Sequence, residues 1–156
     1  MTGSSLSQVF PPEVIAALGR AVAQAEANTS GEIRVKIIEH CDPDLAGDVH
    51  AQAVREFGRE GLGNTRDKTG VLVLLVLGER KFTVLGDSGI HAKLGQGYWD
   101  RAVAELSGHF RQGAFGLGLH TLVADVGLRL AEFFPRRDND VNELPNDVII
   151  GGGNNA

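Results

Sequence analysis

The sequence has little of what marks a secreted, membrane-spanning or nucleic-acid-binding protein. Of 156 residues only one, Cys41, is a cysteine, so no disulfide can form within the chain. No apolar run reaches the roughly 18 residues of a membrane helix, and the first residues lack the basic and apolar segments of a signal peptide. The net charge of −5 argues against nucleic acid, whose phosphates require a basic surface. We therefore expect a soluble, cytoplasmic protein that binds neither nucleic acid nor membrane.

The composition is that of one globular domain. The chain is 42% hydrophobic and 22% charged, which is enough to build a core. Its 21 glycines predict many tight turns. We expect a flexible N-terminus over residues 1–9, a folded domain over residues 10–135, and a polar C-terminal tail over residues 136–156 that is partly disordered.

A hydrophobic hairpin lies at the centre of the sequence. Val71 to Leu77 is an unbroken apolar run of seven residues, typical of a strand that is buried on both faces. A turn at Gly78 to Arg80 leads into a second strand from Phe82 to Leu85, which predicts an antiparallel pair.

The residues before this hairpin predict a parallel βαβ unit. A helix begins near Pro12, and a strand follows from Glu32 to Glu39. Apolar and charged residues alternate along that strand, so one of its faces is expected to be partly wet. A helix from Leu45 to Glu60, capped by Asp44, returns the chain to the hairpin with a right-handed crossover.

The remainder of the chain is mainly helical. His91 is predicted to lie in a loop, and Gly95 and Gly97 separate residues 91–94 from a helix from Tyr98 to Arg111, which a further helix from Phe115 to Phe134 follows. Val148 to Ile150 is a candidate edge strand or a segment that docks on the body of the domain. Together the elements predict an α/β fold: a single-domain, Rossmann-like, three-layer α/β/α sandwich with a small mixed β-sheet.

Three carboxylates are predicted to meet at one edge of that sheet. Glu32 and Asp67 stand at the starts of parallel strands, and Asp87 stands at the end of the antiparallel strand. Carboxylate and carbonyl oxygens are the ligands of calcium and magnesium, and the neighbouring glycines allow carbonyl groups to approach closely. The pattern indicates a divalent cation at Asp67, Asp87 and Glu32. The alternative is that these are ordinary turn, cap and solvated residues.

Other polar residues allow further interpretations. His91 is a candidate ligand or general acid, or a surface residue at a helix start. Lys68 could neutralise a phosphate or pair with Asp67. At the opposite edge, His40, Cys41 and Asp42 include the residue types of a nucleophilic site, and the rule that ligands bind at the carboxyl ends of strands favours that edge.

Four short motifs, in this order, resemble those of the TPM domain family. The match runs from about Val14 to Pro135, and residues 142–145 resemble the tail of the soluble bacterial branch. The motifs are Ser30 to Val35, Asp67 to Leu72, Gly86 to Ile90 and Phe110 to Phe115.

The resemblance implies an α/β/α sandwich, a calcium or other divalent site in a cleft, and the acid phosphatase activity attributed to plant thylakoid members. By match to the family motifs, it assigns the metal role to Asp67 and Asp87 first and to Glu32 second. His91 stands where many relatives have an acidic residue, which weakens a site made only of oxygen ligands. Many relatives also have a signal peptide, a membrane anchor or a glycine-rich tail; we see none here and do not carry over an envelope or photosystem-repair role.

Three functional hypotheses follow. The first is a domain that binds a divalent cation, calcium rather than magnesium, in a regulatory or interaction role. The second is an enzyme, a metal-assisted acid phosphatase, in which His91 protonates the leaving group of a phosphate ester and Lys68 or Arg66 stabilises charge. The third is a ligand-free module that binds a protein partner.

Overall fold

The computed structural model describes residues 9–136 and 148–150, which form one mixed sheet with helices on both faces. The strands have the order β3-β2-β1-β4. In chain order the elements are α1 (Pro12–Glu26), β1 (Glu32–Ile38), α2 (Val49–Arg59), β2 (Gly70–Val76), β3 (Lys81–Gly86), α3 (Ser88–Leu94), α4 (Gln96–Arg111), α5 (Phe115–Phe133) and β4 (Ile149–Ile150).

The centre of the sheet agrees with the sequence pattern. β2 pairs parallel with β1 and antiparallel with β3, and all seven of its residues are buried. An uninterrupted apolar run fits this position because both of its faces are covered. The predicted α/β sandwich with a mixed sheet is confirmed.

Two hydrophobic cores lie on opposite faces of the sheet. The larger one joins the odd-numbered residues of β1 and β2 to α1, α4 and α5, with Val22, Leu106 and Leu130 among its buried side chains. The smaller one joins the even-numbered residues of β2 to Ala53 of α2 and to Leu62 in the short 3₁₀ turn that follows α2. The sheet is therefore the middle layer of three.

The prediction that one face of β1 is partly wet is wrong, because α2 covers that face with side chains of opposite charge. All seven residues of β1 are buried. Lys36 Nζ lies 2.6 Å from Glu56 Oε1 and 2.8 Å from Glu60 Oε2, and Arg34 pairs with the same Glu60. Burial alone would lower the pKa of Lys36, but its hydrogen bonds to the two glutamates raise it, so the amine stays charged.

The same network continues to the carboxyl end of β1. Asp42 is buried and accepts hydrogen bonds from Arg55 at 2.8 Å and Arg59 at 2.9 Å. Gln52 links Asp42 to Glu56, since its Oε1 accepts from the Asp42 amide at 2.6 Å and its Nε2 donates to Glu56 at 2.7 Å. Ion pairs thus take the place of apolar packing along one side of α2.

Some element boundaries differ from those predicted. α2 begins at Val49 rather than Leu45, because the Asp48 carboxylate caps it by accepting from the Ala51 amide at 3.0 Å. Asp44 instead lies in a short 3₁₀ turn and pairs with Arg55. His91 does not lie in a loop but in α3, whose second half is residues 91–94.

The predicted C-terminal edge strand is present as β4, which pairs parallel with β1 through Ile149 and Ile150. The predicted flexible N-terminus falls almost entirely on residues 1–8, which lie outside the described residues. The same holds for most of the predicted tail, at residues 137–147 and 151–156.

Replacing Glu56 tests how much the ion-pair network contributes to stability. Glu56→Ala leaves a buried ammonium on Lys36 with only Glu60 as its partner. We expect the variant to lose about 3–5 kcal/mol of unfolding free energy. Urea denaturation followed by circular dichroism measures this loss.

The matched control is Glu105→Ala, which removes an exposed glutamate from α4 and should change stability by less than about 0.5 kcal/mol. The double variant Lys36→Met/Glu56→Leu removes both charges and should recover much of the loss. A single variant as stable as the control would show that the network does not anchor α2.

Candidate functional site

The amino edge of the sheet brings together the backbone of the predicted site. Glu32 pairs with Gly70 across β1 and β2, and the Asp87 amide donates to the Gly70 carbonyl at 2.8 Å. Glu32 and Asp87 therefore flank Gly70 in one row, two strand spacings or roughly 10 Å apart. The two carboxylates share an edge, with one strand between their backbones.

The loop that carries Asp67 packs closely against the start of α3. The Lys68 carbonyl accepts from the amides of Gly89 at 2.8 Å and Ile90 at 3.2 Å. A Cβ atom at Gly89 would lie only 2.0 Å from the Asp67 carbonyl oxygen, so no other residue fits there without moving the loop. The two segments that carry Asp67 and Asp87 are thus fixed to each other.

Several buried oxygens at this edge have no hydrogen-bond partner among the described residues. They are Ser30 Oγ, Thr69 Oγ1 and Asp87 Oδ2. The other Asp87 oxygen, Oδ1, accepts from the Ser88 amide at 2.7 Å and so caps α3. Because a buried oxygen without a partner costs free energy, such a set is uncommon in a stable fold.

The carboxylates alone do not form a compact metal cluster. Within residues 9–136 and 148–150, no group of three or more His, Cys, Asp or Glu side chains could hold a metal ion. The Asp67 side chain is 26% exposed and lies 3.8 Å from Arg66. A cation here would need hydroxyl and carbonyl oxygens in addition to Asp67, Asp87 and Glu32.

The two residues proposed for phosphate chemistry have different surroundings. Lys68 Nζ donates to the Gly63 carbonyl at 2.9 Å, beside the loop that follows α2. His91 is an exposed residue of α3 and lines a cleft with His50 and Trp99. That cleft does not include Lys68 among its lining residues.

Sequence reasoning missed one buried acid near this edge, Glu26 of α1. It is 1% exposed, and its Oε2 accepts from the Ile33 amide at 2.6 Å. Burial, reinforced by the nearby charge of Glu32, raises the pKa of Glu26 from 4.5 to about 8 even though the Ile33 hydrogen bond opposes it. The signal was available, because Glu26 stands four residues after Val22 on the buried stripe of α1.

The opposite, carboxyl edge of the sheet is occupied by structural contacts. Burial and the neighbouring Glu79 raise the pKa of the Cys41 thiol to about 11, so it is not a thiolate at neutral pH. Glu79 accepts from the Cys41 amide at 2.9 Å, and Asp42 belongs to the ion-pair network. The residue types of a nucleophilic site are present there without an activated nucleophile.

The family resemblance is confirmed by comparison. The TPM domain matches residues 5–128, and this chain belongs to that family. No curated protein matches it. Within the part of the chain that the structure describes, none of the helices has both the length and the apolar character needed to cross a membrane.

Solved structures of other proteins share the fold. The NMR structure of the BA42 protein from the psychrophilic bacterium Bizionia argentinensis is 32% identical, with a TM-score of 0.81 over 91% of this chain and 95% of that one. The N-terminal domain of a protein from P. gingivalis, also solved by NMR, is 23% identical, with a TM-score of 0.59 over 80% of this chain and 78% of that one. At that lower identity the likeness concerns the fold alone.

The raised pKa of Glu26 makes stability depend on pH. A carboxyl group whose folded-state pKa is raised stabilises the fold when protonated, and this contribution is lost as the pH rises from 4.5 to about 8. Glu26→Gln retains an oxygen for the Ile33 amide but cannot ionise. Above pH 8 we expect the variant to be more stable than the unmodified protein by on the order of 5 kcal/mol, the free-energy equivalent of this shift in pKa.

Urea denaturation across this pH range, with a chelator present, measures the difference. It should shrink to near zero at the acid end. Glu13→Gln, an exposed position in the first turn of the same helix, is the matched control and should show no such trend. A difference for Glu26→Gln that does not vary with pH would contradict the assignment.

Proposed function

We propose that this TPM domain binds a divalent cation, calcium in preference to magnesium, at the amino edge of its sheet. Asp67 and Asp87 would supply carboxylate oxygens, with Glu32 as a further candidate. Neighbouring hydroxyl and carbonyl groups would complete the coordination. The proposed role is regulatory or in protein interaction rather than catalytic.

The observation that carries this proposal is the second oxygen of the Asp87 carboxylate. Asp87 Oδ2 is buried and has no hydrogen-bond partner among the described residues, while Oδ1 caps α3. A helix cap needs one acceptor oxygen, so the cap does not account for Oδ2. Thr69 Oγ1 and Ser30 Oγ, from the adjoining strand starts, are further oxygens of the same kind.

The type of donor favours calcium. Calcium takes six to eight oxygen ligands in a flexible arrangement and accepts carbonyls and hydroxyls together with carboxylates, whereas magnesium requires near-octahedral geometry. An edge with separated carboxylates and several neutral oxygens suits the more permissive ion. When bound, the ion would offset the negative charge of Asp67 and Asp87 and link their two segments.

The hydrolytic alternative has less support. A phosphatase would need His91 and Lys68 to act on one substrate beside the ion. Lys68 is engaged by the Gly63 carbonyl, and His91 lines a cleft that does not include Lys68. Hydrolysis of phosphate esters therefore stays a prediction of the family resemblance.

Cation binding is tested by the stability of the chelator-treated protein. An ion that binds only the folded state stabilises it by about 2.7 kcal/mol at a hundredfold excess over its dissociation constant. For this chain length that corresponds to a melting-temperature rise of several degrees. We expect the largest rise with calcium, a smaller one with magnesium, and a dissociation constant measurable by calorimetry.

The variants Asp87→Asn and Asp67→Asn/Asp87→Asn should weaken calcium binding, the double variant more strongly, while Asn retains the ability to cap α3. Glu13→Gln removes one negative charge from an exposed position and serves as the matched control. Unchanged calcium affinity in the double variant would refute the site.

The enzyme hypothesis has its own assay. A chromogenic phosphate ester is incubated with the calcium- or magnesium-loaded protein, and we expect no hydrolysis above the buffer rate. Hydrolysis that disappears in both Asp87→Asn and His91→Gln would instead establish the phosphatase. Hydrolysis that survives both changes would not come from a site formed by Asp87 and His91.

A further inference from the structure

In the part of the chain that the structure describes, the outer strand β3 has one edge that pairs with no other strand. The Asp87 amide donates to Gly70, and hydrogen-bonded pairs alternate along an antiparallel ladder. The odd-numbered residues of β3 therefore bond to β2. The backbone N–H and C=O groups of Phe82, Val84 and Gly86 face away from the sheet.

Within residues 9–136 and 148–150, this edge lacks the usual protection. Proteins commonly block an outer strand with a charged residue, a proline or a covering segment. Lys81 at the start of β3 is charged, but residues 82–86 contain neither charge nor proline. Among the described residues, no other strand pairs with this side of β3.

A groove follows the unpaired edge and is flanked from both faces of the sheet. It has a volume of about 460 Å³ and is lined by residues 83–86 of β3. His50 of α2 flanks it on one side, and His91 of α3 with Trp99 and Val103 of α4 flank it on the other. Trp99 is 4% exposed and packs so closely on the strand that a Cβ atom at Gly86 would lie 2.5 Å from its ring.

We propose that this groove binds an extended segment of another polypeptide, which adds to the sheet as a fifth strand beside β3. Every second residue of β3 presents one N–H donor and one C=O acceptor on the outer edge. An extended peptide backbone matches that repeat along the length of the edge. The inference is independent of the cation site.

The flanking helices favour a single extended segment over a second copy of this domain. If two copies paired along their β3 edges, the helices beside that edge, α2 on one face and α3 with α4 on the other, would meet the same helices of the second copy. A single peptide strand carries no helices that would have to fit beside them. Residues on both sides of the edge would then contact its side chains.

The lining residues define the chemistry of the bound segment. Val84, Trp99 and Val103 offer an apolar surface on one side. The lining also includes two histidines, His50 and His91, and a single acid, Asp100, which already accepts from Gln96 at 3.0 Å. The segment that fits has apolar side chains at alternate positions and a carboxylate that reaches the imidazoles.

Hydrogen exchange with a synthetic peptide tests the proposal. The probe is a capped peptide of alternating valine and threonine with one central glutamate, used at millimolar concentration with the full chain. In the free protein, the amides of Phe82, Val84 and Gly86 should exchange quickly, and those of Thr83 and Leu85 slowly. At a tenfold excess of peptide over its dissociation constant, the three outward amides should slow about tenfold.

Two controls separate backbone pairing from other binding. The same peptide with its alternate amides N-methylated cannot pair with β3 and should give no protection. Val84→Pro removes an outward N–H, which an edge strand tolerates, and should abolish binding, whereas Thr83→Pro breaks the ladder to β2 and should unfold the sheet. Trp99 is the sole tryptophan, so its fluorescence reports occupancy of the groove.

Three other outcomes would each contradict one part of the proposal: the strand addition, the choice of a peptide over a second copy, or the carboxylate preference. Outward amides that stay fast with saturating peptide, or equal protection by the N-methylated peptide, would refute strand addition. Outward amides that become protected with rising protein concentration in the absence of peptide, with a matching rise in sedimentation coefficient, would assign the edge to a second copy. Equal affinity for a peptide with lysine in place of glutamate would refute the carboxylate preference.

Discussion

The structure depends on a strand that has no exposed face. Every residue of β2 is buried, so each face of the sheet must be covered by helices and each neighbouring strand must align with it. α1, α4 and α5 cover one face with apolar side chains. α2 covers the other with an apolar half over β2 and an ionic half over β1. The same strand begins at Gly70, so the backbones of Glu32 and Asp87 lie on either side of it.

Much of this arrangement could be predicted because its signals are local. The apolar run at residues 71–77, the short turn after it and the helix between two strands specify the parallel and antiparallel pairs. The surroundings of β1 could not be predicted, since alternating charge in Arg34 and Lys36 is the same whether water or Glu56 and Glu60 face it. Likewise three aspartates, Asp42, Asp44 and Asp48, precede α2, and the cap formed by Asp48 rather than Asp44 depends on the three-dimensional path of the loop.

The candidate site likewise has one part that the sequence predicts and another part that it does not. Strand direction alone brings Glu32, Asp67 and Asp87 to one edge, and the structure agrees with that placement. The buried Oδ2 of Asp87 depends on how closely α3 packs against the loop at Lys68, a distance that no sequence pattern contains. His91 was predicted to lie in a loop, because a seven-residue helix that opens with Ser-Gly has a weak signal.

The ionic half of the α2 interface has an evolutionary consequence. The charges of Lys36, Glu56 and Glu60 compensate one another in a buried space. A change at one of these positions therefore leaves an uncompensated charge until a second position changes. Among TPM domains these positions should therefore vary together, as sets that keep the sum of charge constant, while the exposed face of the same helix drifts freely. Lineages that replaced the whole set with apolar residues would have had to pass through a less stable intermediate.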